Sequence, residues 1–209
     1  MPAVEQTVSR METADIASAR ARDIVRDVLV EALGASATPF VPMPFIDSWM
    51  FARLLRRIAR KVLVRHERTS PSELSKVVVD AYVAAGSSSM ARSVFVGAAR
   101  FVVRKLAIVL DVKKSYDVFG ESIVFALAVD IAATHHGLDE ASAARVGAAI
   151  YRTLRVVGSG AIDSLGRASR DAFSRGGPAQ LSAAFGAEVG RTRAQLEPVL
   201  RRELQTPFK

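Results

Sequence analysis

Apolar residues recur every three or four positions along most of the chain, which is the period of an amphipathic α-helix. The runs with this period span 16–34, 45–66, 71–86, 89–110, 118–136, 139–157, 161–175 and 179–204. Short valine runs are the main β-like feature, and they lie inside longer helical patterns without turn signals. The pattern therefore predicts an all-α fold: a single compact bundle of seven to nine helices with no significant β-sheet.

Helix starts and ends are marked by local signals. The sequence SPSE at 70–73 matches a capping box with proline at the first helical position, so a helix should begin at Pro71. Asp139 is the expected N-cap of a later helix. Gly34 and Gly86 are expected to end the helices that precede them.

Three other segments predict interruptions. The serines at 87–89 predict a polar connection, and the polar stretch DVKKSYD at 111–117 predicts a break between helices. Gly158 and Gly160 are expected to interrupt the helix that follows Asp139, because glycine weakens a helix interior.

Length and pattern together predict one domain. A chain of 209 residues can bury a sizeable single core. Residues 1–10 show no apolar period and are expected to form a flexible N-terminus, which leaves a single helical domain at 11–205. Glycine-containing breaks near residues 137 and 176 would allow a subdivision of that domain.

The segment 45–66 shows the sharpest division between apolar and basic positions. Three prolines at 39–44 keep its approach extended, so the helix should begin near Pro44 or Asp47. Going round at about 100° per residue, one arc carries Phe51, Leu54, Leu55, Ile58, Ala59 and Val62. The opposite arc carries Arg53, Arg56, Arg57, Arg60 and Lys61. One side is therefore predicted to face the core and the other to be cationic.

The first turn of this helix adds apolar residues to the cationic side: Phe45, Ile46, Trp49 and Met50. An apolar, tryptophan-bearing tip over a row of cations is typical of a helix that lies at a membrane interface. Its rings sit at headgroup depth and its cations face anionic lipid. The alternative is that Trp49 packs on a neighbouring helix and the arginines form an ordinary solvated face.

Charge and composition favour an anionic partner at the same place. The chain carries a net charge of +8, and residues 39–68 hold seven basic and two acidic side chains. This segment therefore supplies more than half of the excess, and a negatively charged partner is expected to meet it. The absence of cysteine excludes disulfides and thiolate chemistry.

The sequence predicts no export signal and no membrane span. The N-terminal stretch MPAVEQTVSRMETAD lacks the apolar core of a signal peptide. The apolar runs 93–112 and 118–133 are interrupted by charged residues, so both are predicted to be core helices, and the alternative is a pair of charge-bearing hairpin helices that enters a bilayer. The expected location is the cytoplasm, and docking on lipid would place the protein at the inner face of the membrane.

Residues suited to catalysis or metal binding are few. His135 and His136 are adjacent and would point about 100° apart on a helix, so they are expected to interact with the helix dipole rather than with an ion. His66 looks isolated in the sequence. No phosphate-binding loop, nucleophile elbow or dinucleotide-binding glycine pattern is present. We expect no enzyme, no cofactor, no metal and no small-molecule substrate.

Three carboxylates lie in the apolar run at 117–130: Asp117, Glu121 and Asp130. Paired carboxylates can perform acid–base chemistry. Their apolar surroundings favour instead ion pairs inside the bundle, and the predicted partners are Arg100, Arg104 or Lys105.

The motif PMPFID at 42–47, the pattern R-x-x-R-x-I-A that ends at Ala59, and the later pair of apolar helices resemble the bacterial EcsC-like family of helical membrane-associated proteins. The resemblance covers about half of the chain. It implies a membrane-proximal helical protein with no known catalytic residue. The sequence departs from the family pattern at LDVKKSYDVFG, where a glycine-rich I-P-x-x-G segment is expected.

The basic helix thus supports three functions. The first is a non-enzymatic protein that docks on an anionic membrane surface or an acidic protein through residues 45–66. The second is a nucleic-acid-binding protein that uses the same arginines on phosphates. The third is a helical adaptor, or a homo-oligomer, that buries Trp49 at a protein interface.

Overall fold

A computed structural model describes the backbone of residues 2–37, 46–97, 104–135, 138–175 and 178–206. Side chains are described for 19–37, 49–86, 115–135, 138–158, 160–168, 170 and 186–206. This part of the chain contains six α-helices and no strand, so the predicted all-α class is confirmed. The helices are α1 (Pro2–Ser36), α2 (Ile46–Arg65), α3 (Pro71–Gly97), α4 (Arg104–His135), α5 (Glu140–Arg175) and α6 (Pro178–Gln205). The predicted range of seven to nine helices refers to all 209 residues.

Five of these helices form a ring around the sixth. Neighbours in the ring are α1, α2, α3, α5 and α6, and α6 closes it by packing on α1. Helix α4 lies inside and packs against α1, α2, α5 and α6. Among the described residues, α2 and α5 make no backbone contact, because they are two positions apart in the ring.

Helix α4 supplies the centre of the hydrophobic core. From Ser122 to Ala133 every residue is buried, and only Ser122 and Asp130 in this run are polar. By length and composition the segment Ser115–His135 could cross a membrane. The apolar window of that segment is 78% buried inside the protein, as the innermost helix of a bundle would be.

Two helix starts follow their predicted local chemistry. Helix α5 begins directly after Asp139, whose Oδ1 accepts a hydrogen bond of 2.8 Å from the Ser142 backbone N–H. Helix α3 begins at Pro71 as predicted, but Ser70 adopts a positive φ of 53°. Its carbonyl oxygen, rather than its hydroxyl, accepts from the Glu73 N–H, so the helix start is correct and the capping box is not.

The predicted interruptions were wrong. Helix α3 continues through Gly86 and the serines at 87–89, and α4 continues through 111–117. Helix α5 likewise runs unbroken past Gly158 and Gly160. The stretch at 111–117 is polar but contains neither glycine nor proline, and polarity alone does not end a helix. Helix α1 already includes residues 2–10, and their flexibility stays a prediction.

Glycines instead mark the places where helices approach closely. A Cβ on Gly86 would lie 3.1 Å from the Tyr151 ring, so this glycine admits an aromatic side chain of α5 rather than ending α3. A Cβ on Gly147 would lie 2.9 Å from the Ala81 Cβ and would overlap the Val78 carbonyl oxygen. The α3–α5 contact therefore depends on the missing side chain at Gly147.

Candidate docking surface

Helix α2 is amphipathic as predicted, and its apolar arc faces the bundle. Its fully buried residues are Leu55, Ile58, Ala59, Val62 and Leu63. Phe51 and Leu54 are half-buried at its beginning. This burial fixes the rotation of α2 about its own axis and decides which residues point to solvent.

The outward side of α2 carries a stripe of five exposed residues: Trp49, Arg53, Arg57, Arg60 and Val64. We call them the α2 stripe. They recur at three- and four-residue intervals, which places them along one helix face. Trp49 retains 58% of its surface exposed and Val64 retains 54%. The indole is therefore not packed into the core, and the stripe has an apolar group at each end.

The exposed indole is covered on one face by a cation. The guanidinium carbon of Arg53 lies 5.2 Å from the centroid of the Trp49 ring, within the range of a cation–π interaction. Trp49 and Arg53 are four residues apart, so they are neighbours on the same face of the helix. It joins the aromatic group to the beginning of the cationic row.

Two of the five predicted cations are neutralised by neighbouring helices. Arg56 donates to Asp80 of α3 at 2.5 Å. Lys61 donates to Glu31 of α1 at 2.8 Å and to the Asp27 carbonyl oxygen at 2.9 Å. By contrast, Arg53, Arg57 and Arg60 form no ion pair with any side chain in the described part of the chain.

The remaining predicted residues lie at the start of α2. Met50 is half-buried beside Trp49. Ile46 begins the helix, and its side chain lies outside the described residues, as does all of Phe45. Of the nine predicted residues, the structure therefore brings Trp49 together with three unpaired arginines on one surface.

Exposed apolar residues are concentrated on this side of the ring. Of the seven large apolar side chains that are exposed in the described part of the chain, six lie on α1, α2 or α3. Val30 and Leu33 are on α1, and Val77 and Val83 are on α3. Helices α1 and α3 are the ring neighbours of α2.

A second polar feature lies inside the bundle, around the fully buried Asp130. Its Oδ1 is 2.7 Å from His66 Nε2 and 3.3 Å from Arg20 Nε, and its Oδ2 accepts from Arg193. Burial raises the pKa of Asp130, but the hydrogen bonds from His66 and Arg193 and the nearby positive charges outweigh it and hold the pKa below its ordinary value. The predicted ion pairing of Asp130 is confirmed with partners other than the predicted Arg100, Arg104 or Lys105.

This ionic cluster corrects the interpretation of His66. The imidazole is nearly buried, and Arg20 Nη2 lies 3.0 and 3.3 Å from its two nitrogens. The cluster joins α1, α4 and α6 to the end of α2. The sequence does carry a signal for it, because Arg193 lies on the otherwise apolar arc of α6.

The other buried carboxylate, Glu121, has an aromatic partner. The Tyr82 hydroxyl donates to Glu121 Oε1, and the Tyr82 ring packs edge-on against Phe125. Burial raises the pKa of Glu121; the hydrogen bond from Tyr82 opposes this, and the charge of Asp117 adds to it. In the described residues Glu121 is thus hydrogen-bonded to a phenol, and the predicted ion pair with Arg100, Arg104 or Lys105 falls on side chains outside them.

An open cavity of about 520 Å³ lies where α2 ends and α3 and α5 begin. Its lining includes His66, Arg68, Leu74, Leu138 and Glu140. Within the described side chains, no group of three His, Asp or Glu residues could hold a metal ion. His135 pairs instead with Glu197 at 3.0 Å. The α2 stripe therefore remains the surface with the clearest ligand chemistry.

Comparisons of the chain with protein-family models, with curated proteins and with solved structures found no match. The resemblance drawn from the sequence motifs stays a prediction. The geometry of the α2 stripe is therefore the basis for proposing a function.

Proposed function

We propose that this protein is a non-enzymatic peripheral membrane protein that docks on anionic phospholipid through the α2 stripe. The observation that carries the proposal is the exposed Trp49, stacked under Arg53 at the head of a row that continues through Arg57 and Arg60. An indole at headgroup depth beside cations that face anionic lipid is the arrangement of an interfacial helix. The resemblance to EcsC-like proteins points to the same class of function.

The charges that remain free set the expected strength of docking. Each arginine near an anionic surface contributes about 1 kcal/mol, so Arg53, Arg57 and Arg60 together contribute about 3 kcal/mol. Insertion of Trp49 and of Val64 adds an apolar contribution. Binding should therefore depend on anionic lipid and weaken with salt, but retain a part that salt does not remove.

The exposed apolar residues favour lipid over nucleic acid. A duplex backbone is met by cations and hydrogen-bond donors, and it offers no apolar phase to Trp49 or Val64. A bilayer interface accommodates both the cations and the apolar side chains. A single exposed tryptophan could also stack on an unpaired base, so nucleic acid is a measured outcome of the test.

The test is cosedimentation with vesicles of phosphatidylcholine alone and of two parts phosphatidylcholine to one part phosphatidylglycerol. Wild type should pellet with the anionic vesicles only. The double variant Arg57→Glu/Arg60→Glu should lose binding, because it reverses two free charges and leaves the Trp49–Arg53 stack intact. Trp49→Ala should bind more weakly and should lose the salt-resistant part.

The matched control is Arg191→Glu/Arg202→Glu on α6, which makes the same change in net charge. Both arginines are exposed. Arg202 forms no ion pair among the described side chains, and Arg191 pairs only with Glu188 of its own helix, at 2.7 Å. Loss of such an exposed pair costs little, so the control should fold and should bind anionic vesicles much as wild type does.

The outcomes that would refute the proposal are distinct. Equal losses in the α2 and α6 double variants would mean that net charge alone drives binding. Equal binding of wild type to both lipids, or no binding at all, would exclude docking on anionic lipid. Tighter binding to a DNA or RNA oligonucleotide than to vesicles would assign the α2 stripe to nucleic acid.

A further inference from the structure

A second cationic row, on α5, is not used by the proposed docking. It consists of Arg145, Arg155, Val156 and Arg167, and we call it the α5 row. All four residues are exposed, and Val156, at 69%, is the one exposed large apolar side chain outside α1–α3 in the described residues. At about 100° per residue, the four positions fall within one third of the helix circumference, and the row is interrupted on that arc by the buried Ala148 and Ala149.

The arginines of the α5 row are free of acidic partners among the described side chains. The nearby Arg152 forms an ion pair of 2.6 Å with Glu203 of α6. Arg145, Arg155 and Arg167 form no comparable ion pair with any side chain that the structure describes. Asp163 is exposed on the same face and reduces the charge of the row from three to two. The composition, cations around an exposed apolar group, is that of the α2 stripe without its aromatic residue.

The two surfaces point away from each other. Helices α2 and α5 are separated by α3 on one side of the ring and by α1 and α6 on the other. Packed helices lie about 8–10 Å apart, so the two axes lie roughly 15–20 Å apart. Two positions in a ring of five correspond to outward directions that differ by roughly 140°. A flat bilayer in contact with the α2 stripe therefore leaves the α5 row facing the opposite side.

We propose that the α5 row binds a second anionic bilayer, so that the protein bridges two membrane surfaces. The inference rests on the proposed docking through α2 and adds a partner for α5. The row is complementary in charge to anionic headgroups, and Val156 can enter the interface between the cations. The row lacks an aromatic anchor and includes Asp163, so it binds weakly alone. It acts when many molecules held on one vesicle present it together at high effective concentration.

The experiment measures vesicle clustering by light scattering, in parallel with cosedimentation, on vesicles of two parts phosphatidylcholine to one part phosphatidylglycerol. Wild type should pellet with these vesicles and should also cluster them. Arg145→Glu/Arg155→Glu should pellet with single vesicles and lose most of the clustering, at least several-fold. Arg57→Glu/Arg60→Glu should lose both. The α6 control Arg191→Glu/Arg202→Glu should retain both.

The outcomes separate this inference from the docking proposal. Binding without clustering by wild type would overturn the α5 assignment and leave α2 docking intact. Undiminished clustering by Arg145→Glu/Arg155→Glu, or equal loss in the α6 control, would also overturn it. A dimeric mass for wild type in solution, with clustering that follows dimer concentration, would assign bridging to self-association instead. Absence of wild-type binding would remove the docking proposal and this inference with it.

Discussion

Gly147 on α5 offers the sharpest test of the helix packing. Replacing it by alanine adds one methyl group where α3 and α5 are closest. That group would lie 2.9 Å from the Ala81 Cβ and 3.0 Å from the Val78 carbonyl carbon, and it would overlap the Val78 carbonyl oxygen. Because the obstacle is the backbone of a helix, no side-chain rotation can relieve the overlap, so the two helices must move apart.

Gly160, on the same helix, is the matched control. An added Cβ there would meet no atom within 4 Å. Alanine is favoured over glycine in a helix interior by about 1 kcal/mol, so Gly160→Ala should raise the free energy of unfolding by about 0.5–1 kcal/mol. The same preference applies to Gly147→Ala, but overpacking costs about 1–3 kcal/mol. Because the obstacle is rigid, we expect the upper end of this overpacking cost, so Gly147→Ala should lower the free energy of unfolding by about 2 kcal/mol net.

The two variants should therefore differ by about 3 kcal/mol, although their chemical change is identical. Urea unfolding followed by far-ultraviolet circular dichroism measures this difference as a shift in the midpoint at unchanged slope. In a chain of this size each kcal/mol moves the melting temperature by about 2–4 °C, so the melting temperatures should differ by roughly 10 °C. A Gly147→Ala variant as stable as wild type, or more stable, would show that α3 and α5 are not in close contact there.

Three further predictions concern the ionisable groups and the exposed indole. Asp130→Asn should cost about 3–5 kcal/mol in urea unfolding, because it leaves buried Arg193 uncompensated, whereas Asp80→Asn, in an exposed pair, should cost less than about 1 kcal/mol. Because the pKa of Asp130 is lowered, its contribution to the free energy of unfolding is present at neutral pH and is lost on acidification. The difference in this free energy between wild type and Asp130→Asn should therefore narrow below about pH 3.8. Because the pKa of Glu121 is raised, its contribution to the free energy of unfolding is complete at low pH and is lost as the pH rises above about 4.5. Glu121→Gln should remove this loss. If the free energies of unfolding of wild type and Glu121→Gln changed in parallel with pH, the assignment would be contradicted. Iodide should quench Trp49 fluorescence in the free protein and less on anionic vesicles, while a protected indole in the free protein would contradict its exposure.

The sequence was sufficient where a structure is decided by neighbouring residues. The start of α3 follows from the fixed φ of Pro71, and the start of α5 follows from the hydrogen bond that Asp139 accepts as its cap. Gly86 was wrongly predicted to end a helix, because the side chain that requires a glycine there is distant in the sequence. It accommodates the ring of Tyr151, which belongs to another helix.

The candidate docking surface also has features that the sequence predicts and features that it does not. The apolar and cationic arcs of α2 follow from helical periodicity, so the exposure of Trp49 and Arg57 could be predicted. The neutralisation of Arg56 could not, because its partner Asp80 is 24 residues away on α3. His66 looked isolated for the same reason, since its partners come from α1 and α4.

Packing therefore determines how much charge α2 can offer to a partner. Arg56 and Lys61 lie toward the edges of the cationic arc and bind α3 and α1, whereas Arg53, Arg57 and Arg60 lie along its crest, where no neighbouring helix reaches them in the described part of the chain. Five free cations would contribute about 5 kcal/mol at an anionic surface, and three contribute about 3 kcal/mol. A difference of about 2 kcal/mol corresponds to roughly a 30-fold change in affinity. A count of basic residues in the sequence thus overstates the affinity for an anionic surface by that factor.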